Sequence, residues 1–178
     1  KYKHGKRHGK WIERYENGKL KRKNNYRNGK QHGKLLLYYD NGEIEARGYI
    51  KNEELHGKWF SYYRDGGLKN KRNYKNGKLN GKMVSYHKNG RIKNRKNYKD
   101  GKTHGSYVRY HISGNLILKG KYKNNRKSGK WVECRNGRCV SAFYQNKFPH
   151  TSKKRSRKKS KKRSRKKSKK RSRKKYRK

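Results

Sequence analysis

The sequence predicts an all-β protein: an elongated single sheet of antiparallel β-hairpins, followed by a disordered basic tail. Three observations support this prediction. The glycine of a His-Gly step, or of its Asn-Gly and Ser-Gly equivalents, recurs every 24 residues. Asn-Gly and Asp-Gly turns separate short apolar and aromatic runs, and the composition changes abruptly at Ser152. A fixed period of this length is typical of repeat proteins, in which each unit buries its apolar residues against its neighbours.

The composition excludes a thick hydrophobic core. The 178 residues include 60 Lys and Arg but only 10 Asp and Glu, which gives a formal net charge of +50, and 26% are hydrophobic. Globular domains usually contain about 45–50% apolar residues, and such a charge would by itself indicate disorder. No run approaches the roughly 18 apolar residues of a membrane span, and no segment resembles a signal peptide. Because the chain starts at Lys1 rather than Met, further residues could precede it.

Two kinds of turn alternate along the repeats. Six units begin at equivalent glycines, which are Gly9, Gly33, Gly57, Gly81, Gly105 and Gly129, and residues 1–8 resemble the end of a preceding unit. The first kind of turn runs from Glu16-Asn17-Gly18 to Arg135-Asn136-Gly137 in the last unit. The second kind is Arg27-Asn28-Gly29, Lys75-Asn76-Gly77 and Lys99-Asp100-Gly101. Asn and Gly adopt positive φ at low cost, so these turns predict hairpins, and we expect every glycine to lie at a turn.

The residues between the turns alternate as strands do. One position of the first strand is always apolar, namely Ile12, Leu36, Phe60, Val84, Val108 and Val132. The opposite face starts with Trp11, Leu35, Trp59, Met83, Tyr107 and Trp131. The second strand repeats Leu20, Ile44, Leu68, Ile92 and Leu116, and Tyr26, Tyr74, Tyr98 and Tyr122 close it. Successive side chains of a strand point to opposite faces, so this pattern predicts a sheet with a narrow apolar seam and an aromatic cover.

One unit departs from the pattern. Tyr49 follows Gly42 by seven residues, where the other units have eight. We expect a one-residue deletion in this strand, offset by an insertion in the loop at 51–57. Such compensation would preserve the register, since a slip of one residue moves every side chain to the other face.

At these residues the chain resembles the MORN-repeat family, in its variant form with an Asn-Gly turn and a Gly-Lys-x-His-Gly turn per unit. The blocks HGKWIERYENGKL, HGKLLLYYDNGEI and HGKWFSYYRDGGL carry the resemblance, which covers residues 1 to about 148. It implies antiparallel hairpins in an elongated, twisted single sheet. It also implies a scaffold that often self-associates and that in some members is tied to membranes or lipid head groups. The repeat is abundant in large DNA viruses, where a basic tail would suit a virion or chromatin-like role.

Basic residues of the second strand form a candidate binding face within the repeat region, residues 1–150. They occupy one column, which is Lys23, Arg47, Lys71, Arg95 and Lys119. A further column of Lys21, Lys69 and Lys93 is expected on the same face, two residues away. One interpretation is a solvated face that keeps the sheet soluble and its edges unpaired. The other is a basic stripe for a polyanion.

The tail, residues 151–178, is a stronger candidate. The octapeptide SKKRSRKK occurs three times from Ser152, and residues 152–178 contain 20 Lys and Arg and no acid. The predicted binding residues are Lys153, Lys154, Arg155, Arg157, Lys158, Lys159, Lys161, Lys162, Arg163, Arg165, Lys166, Lys167, Lys169, Lys170, Arg171, Arg173, Lys174 and Lys175. Like charges repel, which predicts disorder, and this density is typical of nucleic-acid-binding or nuclear-localising segments. No base-reading element accompanies the tail, so we expect sequence-independent binding.

No catalytic site, metal site or cofactor is predicted. His4, His8, His32, His56 and His104 each precede a turn glycine, and Asn80 and Ser128 replace them in other units. His87 and His111 stand in the column of Tyr15, Tyr39 and Tyr63. The acids are scattered without paired carboxylates, and no phosphate-binding loop occurs in context. We therefore expect turn-forming and packing roles for the histidines, and no enzymatic activity.

Cys134 and Cys139 flank the last turn and could face each other across a hairpin. Two cysteines are too few for a disulfide scaffold, so we expect reduced thiols in an intracellular compartment. A metal pair would need two more ligands, and none are suitably spaced.

Three functions are compatible with these features. The first is a structural protein in which the repeats position or oligomerise and the tail holds DNA or RNA, in a nucleus or a virion. The second is a scaffold at an anionic membrane surface, because basic segments gain about 1 kcal/mol per Lys or Arg near such a surface. The third is a protein-interaction module whose tail directs nuclear import.

Overall fold

The computed structural model describes residues 1–145, and the tail with its predicted disorder lies outside them. All sixteen elements within this range are strands, so the all-β prediction is confirmed. They are β1 (Tyr2–Lys3), β2 (Lys6–Arg7), β3 (Gly9–Arg14), β4 (Leu20–Arg27), β5 (Lys30–Gln31), β6 (Gly33–Tyr38), β7 (Ile44–Lys51), β8 (Glu54–Tyr62), β9 (Leu68–Lys75), β10 (Lys78–Leu79), β11 (Gly81–Tyr86), β12 (Ile92–Lys99), β13 (Lys102–Tyr110), β14 (Leu116–Lys123), β15 (Arg126–Arg135) and β16 (Arg138–Tyr144). No helix able to cross a membrane occurs in this part of the chain.

Twelve strands lie side by side in chain order in one antiparallel sheet. The order is β3-β4-β6-β7-β8-β9-β11-β12-β13-β14-β15-β16, with β5 added to β4 and β10 added to β9. The β1–β2 hairpin forms a separate two-stranded sheet. The single-sheet hairpin prediction is therefore confirmed for residues 9–144. At about 4.8 Å per strand, twelve strands extend for roughly 50–55 Å.

The apolar side chains are not shared equally between the two faces. The buried residues within the described range are Asn24, Leu35, Ala46, Ile50, Asn70, Ser85, Tyr107, Trp131 and Cys134. All except Cys134 lie on the face of Trp11 and its equivalents, which we call the packed face. Trp131 is only 2% exposed, whereas Ile12 on the other face is 54% exposed. Apart from Cys134, the buried residues therefore form a layer on one face, composed of aromatic, aliphatic and small polar side chains.

Two glycines lie beneath tryptophans of the packed face. A Cβ built at Gly48 would lie 2.1 Å from the Trp59 ring, and one at Gly120 would lie 2.2 Å from the Trp131 ring. Both glycines are strand residues, and neither has a positive φ. The expectation that every glycine lies at a turn was wrong, because the indole rings need the space above the neighbouring strand.

The expected deletion near Tyr49 does not occur. Ile50, not Tyr49, pairs with Gly33, just as Tyr26 pairs with Gly9 and Tyr74 pairs with Gly57. β7 has the same eight residues as β4 and β9, and Ile50 is 6% exposed. The prediction was wrong because Ile50 replaces a tyrosine of the packed face. Tyr49 is an additional tyrosine that points to the other face and contacts His32.

The second kind of turn is confirmed and also occurs without glycine. Asn28 and Gly29 both have positive φ, and the same holds for the pair Asn52 and Glu53. The last turn differs from the other turns of the first kind. Arg135 pairs directly with Arg138 across a two-residue turn, without the register shift that the other units show at this point.

The expectation of reduced thiols was wrong, because Cys134 and Cys139 form a disulfide. The two-residue turn places them directly opposite each other in the ladder, with their Cα atoms 4.0 Å apart. The cysteines therefore no longer favour a reducing compartment.

Hydrogen bonds repeat from unit to unit along the edge of the sheet formed by the first turns. The Tyr15 hydroxyl donates to the carbonyl oxygen of Tyr38, and His87 replaces the tyrosine in a contact with the carbonyl oxygen of Tyr110. The Asn17 amide donates to the carbonyl oxygen of Asp40 in the next turn. The histidine and tyrosine column thus joins neighbouring units, which agrees with the structural role expected for His87.

Candidate functional site

The five basic residues predicted to share a face do so, and they form a row with the apolar seam. Lys23 pairs with Ile12 on one side and with Leu36 on the other. The same alternation continues to the last unit, where Lys119 pairs with Val108 and with Val132. The complete row contains one residue per strand, which are Ile12, Lys23, Leu36, Arg47, Phe60, Lys71, Val84, Arg95, Val108, Lys119 and Val132. We call this the alternating row, and its side of the sheet the basic face.

Antiparallel pairing fixes the spacing of the cations in this row. Successive cations are two strands apart, which is about 10 Å, so the five span about 40 Å. Arg47, Lys71, Arg95 and Lys119 are exposed, and Lys23 is half-buried. The alternating row therefore presents evenly spaced positive charge to solvent.

Aromatic rings position part of this charge. The Arg47 guanidinium carbon lies 5.2 Å from the centre of the Phe60 ring and 5.7 Å from that of Tyr62. The Lys71 ammonium lies 5.8 Å from the centre of the same Phe60 ring. Cation–π contacts at exposed sites contribute about 0.5–1 kcal/mol and leave outer N–H groups available to an anion.

The second predicted column does not belong to this face. Lys21 is the extra residue of a β-bulge, because Arg22 pairs with Glu13 while Leu20 pairs with Arg14. Its ammonium lies 2.8 Å from the Glu13 carboxylate, which belongs to the packed face. Lys69 and Lys93 occupy the equivalent bulges. The prediction that these lysines accompany Lys23 was wrong because the bulge interrupts the alternation of side chains.

The acids lie away from the alternating row. Glu13 and Glu133 lie on the packed face, Glu45 occupies a bulge, and the others are at or beside turns, namely Glu16, Asp40, Glu43, Glu53, Glu54, Asp65 and Asp100. Within residues 1–145 the ion pairs are Lys21–Glu13, Arg64–Asp40 and Arg135–Glu133, and none involves the row. Hydrogen bonding from Lys21 lowers the pKa of Glu13, and hydrogen bonding from Arg64 lowers the pKa of Asp40.

The described residues contain no cluster of three or more His, Cys, Asp or Glu that could hold a metal ion. His4 lies in a turn with positive φ, and His104 contacts the side chain of the turn residue Asn124. The tail residues 153–175 predicted to bind nucleic acid lie outside the described range.

Comparison with known proteins gives one sequence family. The model described as "MORN repeat variant" matches four segments, 7–28, 31–52, 55–76 and 79–100, at the 24-residue spacing of the units. The next two units, which begin at Gly105 and Gly129, continue the same pairing of strands. No curated protein sequence matches the chain.

A weak likeness to a solved structure adds no argument. It is to "Crystal structure of GtfA/B complex bound to UDP and GlcNAc", at 13% sequence identity and a TM-score of 0.28. The match covers 63% of this chain and spans only 22% of that one. The period, the paired turns and the four matched segments together identify this chain as a member of the MORN-repeat family, of the variant type.

Proposed function

We propose that this protein is a repeat scaffold whose tail binds nucleic acid without sequence specificity. MORN repeats are protein- or membrane-interaction modules, which supports the scaffold part. The observation that carries the nucleic-acid part is the charge of residues 152–178, with 20 Lys and Arg among 27 residues and no acid. Such a density of cations favours a polyanion as its partner, and duplex DNA carries one negative charge per about 1.7 Å of its axis.

Release of counterions would drive this binding. If about ten to fifteen tail cations meet phosphates of a duplex, log affinity falls with log salt concentration at a slope of about −9 to −13. Phosphate contacts carry no sequence information, so the affinity is expected to be similar for unrelated sequences.

The repeats would supply a regular platform to which the tail is attached. Each unit pairs with its neighbours through strand ladders and through bonds such as Tyr39 to the carbonyl oxygen of Tyr62. Contacts of this kind fix the distance between surface features along the sheet. A platform of fixed spacing with a basic tail would organise protein partners, or further copies of the chain, on nucleic acid.

Deletion of residues 152–178 tests the proposal. We expect the slope of log affinity for duplex DNA against log salt to become shallower by about 9 or more, while β-rich circular dichroism is unchanged. A slope equal to that of the full chain would refute nucleic-acid binding by the tail.

The other two functions give different results in parallel experiments. Binding to anionic vesicles that exceeds binding to duplex DNA at equal salt would favour a membrane-surface scaffold. Import of an inert reporter fused to residues 152–178, without nucleic-acid binding, would favour a protein-interaction module. The proposal locates the protein beside nucleic acid, in a nucleus or a virion, and imaging of the tagged full chain would test this.

A further inference from the structure

We propose that the basic face is a second nucleic-acid site, which binds the sugar–phosphate backbone of a single strand along the sheet. The inference rests on the proposed function, because it names the same class of ligand, but it concerns the repeats and not the tail. The basic face carries a second row of cations in addition to the column of Lys23.

The lysines of the His-Gly-Lys step form this second row. Lys10, two residues before Ile12 in β3, therefore lies on the basic face, where it pairs with Asn25. The equivalent lysines of later units are all exposed, and they are Lys34, Lys58, Lys82 and Lys130.

The one interruption of the second row is compensated. In the fifth unit Ser106 stands where the other units have lysine. The residue directly opposite Ser106 is Lys121, whereas the residues opposite Lys10 and Lys82 are Asn25 and Asn97. In this unit the cation is therefore on the adjacent strand, β14 instead of β13, and on the same face of the sheet. A face that served only for solubility would not need its positive charge at this particular point.

The two rows together form a zigzag with about one cation per strand. The cations in order along the sheet are Lys10, Lys23, Lys34, Arg47, Lys58, Lys71, Lys82, Arg95, Lys119, Lys121 and Lys130. Neighbours on adjacent strands are about 4.8 Å apart across the sheet and about 7 Å apart along the strands, which is roughly 8 Å in total. Neither row contains an acid. The zigzag thus places positive charge on ten of the eleven successive strands from β3 to β15, with β13 as the exception, over roughly 50 Å.

Aromatic residues border the zigzag. Tyr38, Tyr62, Tyr86 and Tyr110 follow the alternating row by two residues on the same face, and all are partly exposed. A basic track bordered by aromatic rings is the arrangement by which proteins hold single-stranded nucleic acid, since each base can stack on a ring. We therefore assign the backbone to the zigzag and the bases to the tyrosine side.

The twist of a sheet favours a flexible ligand. Adjacent strands rotate by about 20–25°, so eleven steps accumulate a rotation of well over half a turn. A planar membrane would meet only part of a row that turns in this way, and a straight duplex would leave it after a few strands. A single strand is flexible enough to follow the row along the whole sheet.

Lysine footprinting of the full chain tests the proposal directly. The protein is treated with an amine-acetylating reagent with and without a single-stranded oligonucleotide of about 20 nucleotides, and modified peptides are quantified by mass spectrometry. We expect protection of Lys34, Lys58 and Lys82, and unchanged reactivity of the bulge residues Lys69 and Lys93. Equal protection of the two sets by the oligonucleotide, or protection of neither set, would overturn the proposal.

Matched variants of the full chain provide a second measurement. The face variant carries Lys34→Gln, Lys58→Gln, Lys82→Gln and Lys121→Asn, whereas the control carries Lys21→Gln, Lys69→Gln, Lys88→Gln and Lys93→Gln. Both lose four charges, but only the first lies on the basic face. The slope of log affinity for a single-stranded oligonucleotide against log salt concentration changes by about 0.7 for each phosphate contact that is lost. This slope should become shallower by about 3 in the face variant and by less than about 1 in the control. Equal changes would overturn the proposal.

Failure of this inference is distinguishable from failure of the proposed function. If the full chain binds no oligonucleotide, the proposed function fails, and this inference fails with it. If the oligonucleotide binds but leaves the face lysines reactive, the tail acts alone and only the inference fails. Protection of the same lysines by anionic vesicles but not by oligonucleotide would assign the face to a membrane and would also overturn the proposal.

Discussion

The hydroxyl of Tyr39 donates a hydrogen bond of 2.8 Å to the main-chain carbonyl oxygen of Tyr62, 23 residues later in the next unit. Tyr15 and Tyr63 make the same contact with Tyr38 and Tyr86. Each bond joins the start of a turn in one unit to the end of a strand in the next. These tyrosine hydrogen bonds therefore supplement strand pairing at the edge where bulges interrupt the sheet.

Removal of one of these tyrosine hydrogen bonds should destabilise the sheet without changing its structure. We expect Tyr39→Phe to lower the free energy of unfolding by about 0.5–1.5 kcal/mol, because the Tyr62 carbonyl oxygen loses its donor. Urea unfolding followed by circular dichroism measures the change. Tyr86→Phe is the control, since the structure gives its hydroxyl no hydrogen bond within residues 1–145. Equal effects of the two substitutions would contradict a stabilising role for the tyrosine hydrogen bonds between units.

Addition of a methyl group beneath a tryptophan should be costly. We expect Gly120→Ala to destabilise the protein by about 1–3 kcal/mol, because the new Cβ would overlap the Trp131 ring. The same substitution in a Trp131→Leu background should cost less, since the smaller side chain can move aside. Thermal unfolding of the four proteins in this cycle provides the test, and additive effects would show that the ring and the glycine are not coupled.

Alkaline pH should destabilise the packed face. Burial raises the pKa of Tyr107 and of Tyr98 above the usual value. The folded state therefore retains these protons when the unfolded state has lost them. This contribution to stability is complete below a pH of about 10 and is lost as pH rises through the folded pKa. Phenolate absorbance during titration should reveal late-titrating tyrosines that become normal in denaturant. Simultaneous titration of all tyrosines in the folded protein would contradict this prediction.

The disulfide should protect the last hairpin only. Thiol trapping of the unreduced protein should find no free cysteine, because Cys134 and Cys139 are bonded. The free energy of unfolding of the double variant Cys134→Ala, Cys139→Ala should be lower by about 2 kcal/mol, because the unfolded chain is no longer constrained by the short disulfide loop. Hydrogen exchange should accelerate in β15 and β16, with β3 to β9 as the internal control. Two reactive thiols in the unreduced protein, or equal acceleration throughout the sheet, would contradict it.

The strands and their order could be predicted because the repeat, the turns and the alternation all depend on local sequence. The wrong predictions concern residues whose position in the sequence is compatible with two different strand registers. Tyr49 looks like a shifted member of the tyrosine column, but only the pairing of Ile50 with Gly33 shows that the strand is complete. Counting eight residues from Gly42 to an apolar Ile50 was the signal that could have revealed this.

The basic face was only partly predictable for the same reason. A count in steps of two places Lys21 beside Lys23, but a bulge adds one residue and reverses the side chain. The lysine of the His-Gly-Lys step was not included in the predicted face, although its spacing of two residues from Ile12 already placed it there. The pairing of Cys134 with Cys139 depended on a turn one residue shorter than its equivalents, which repetition alone does not indicate.

The order of the strands also determines how tension would pass through the protein. Because β3 and β16 lie at opposite edges of one sheet, a pull between them is directed across the strands and along the ladder hydrogen bonds. The strand pairs are then links in series, each carrying the full load, so the weakest pair sets the strength of the whole. A partner held at one edge and an anchor at the other would be joined by a tether that lengthens one hairpin at a time.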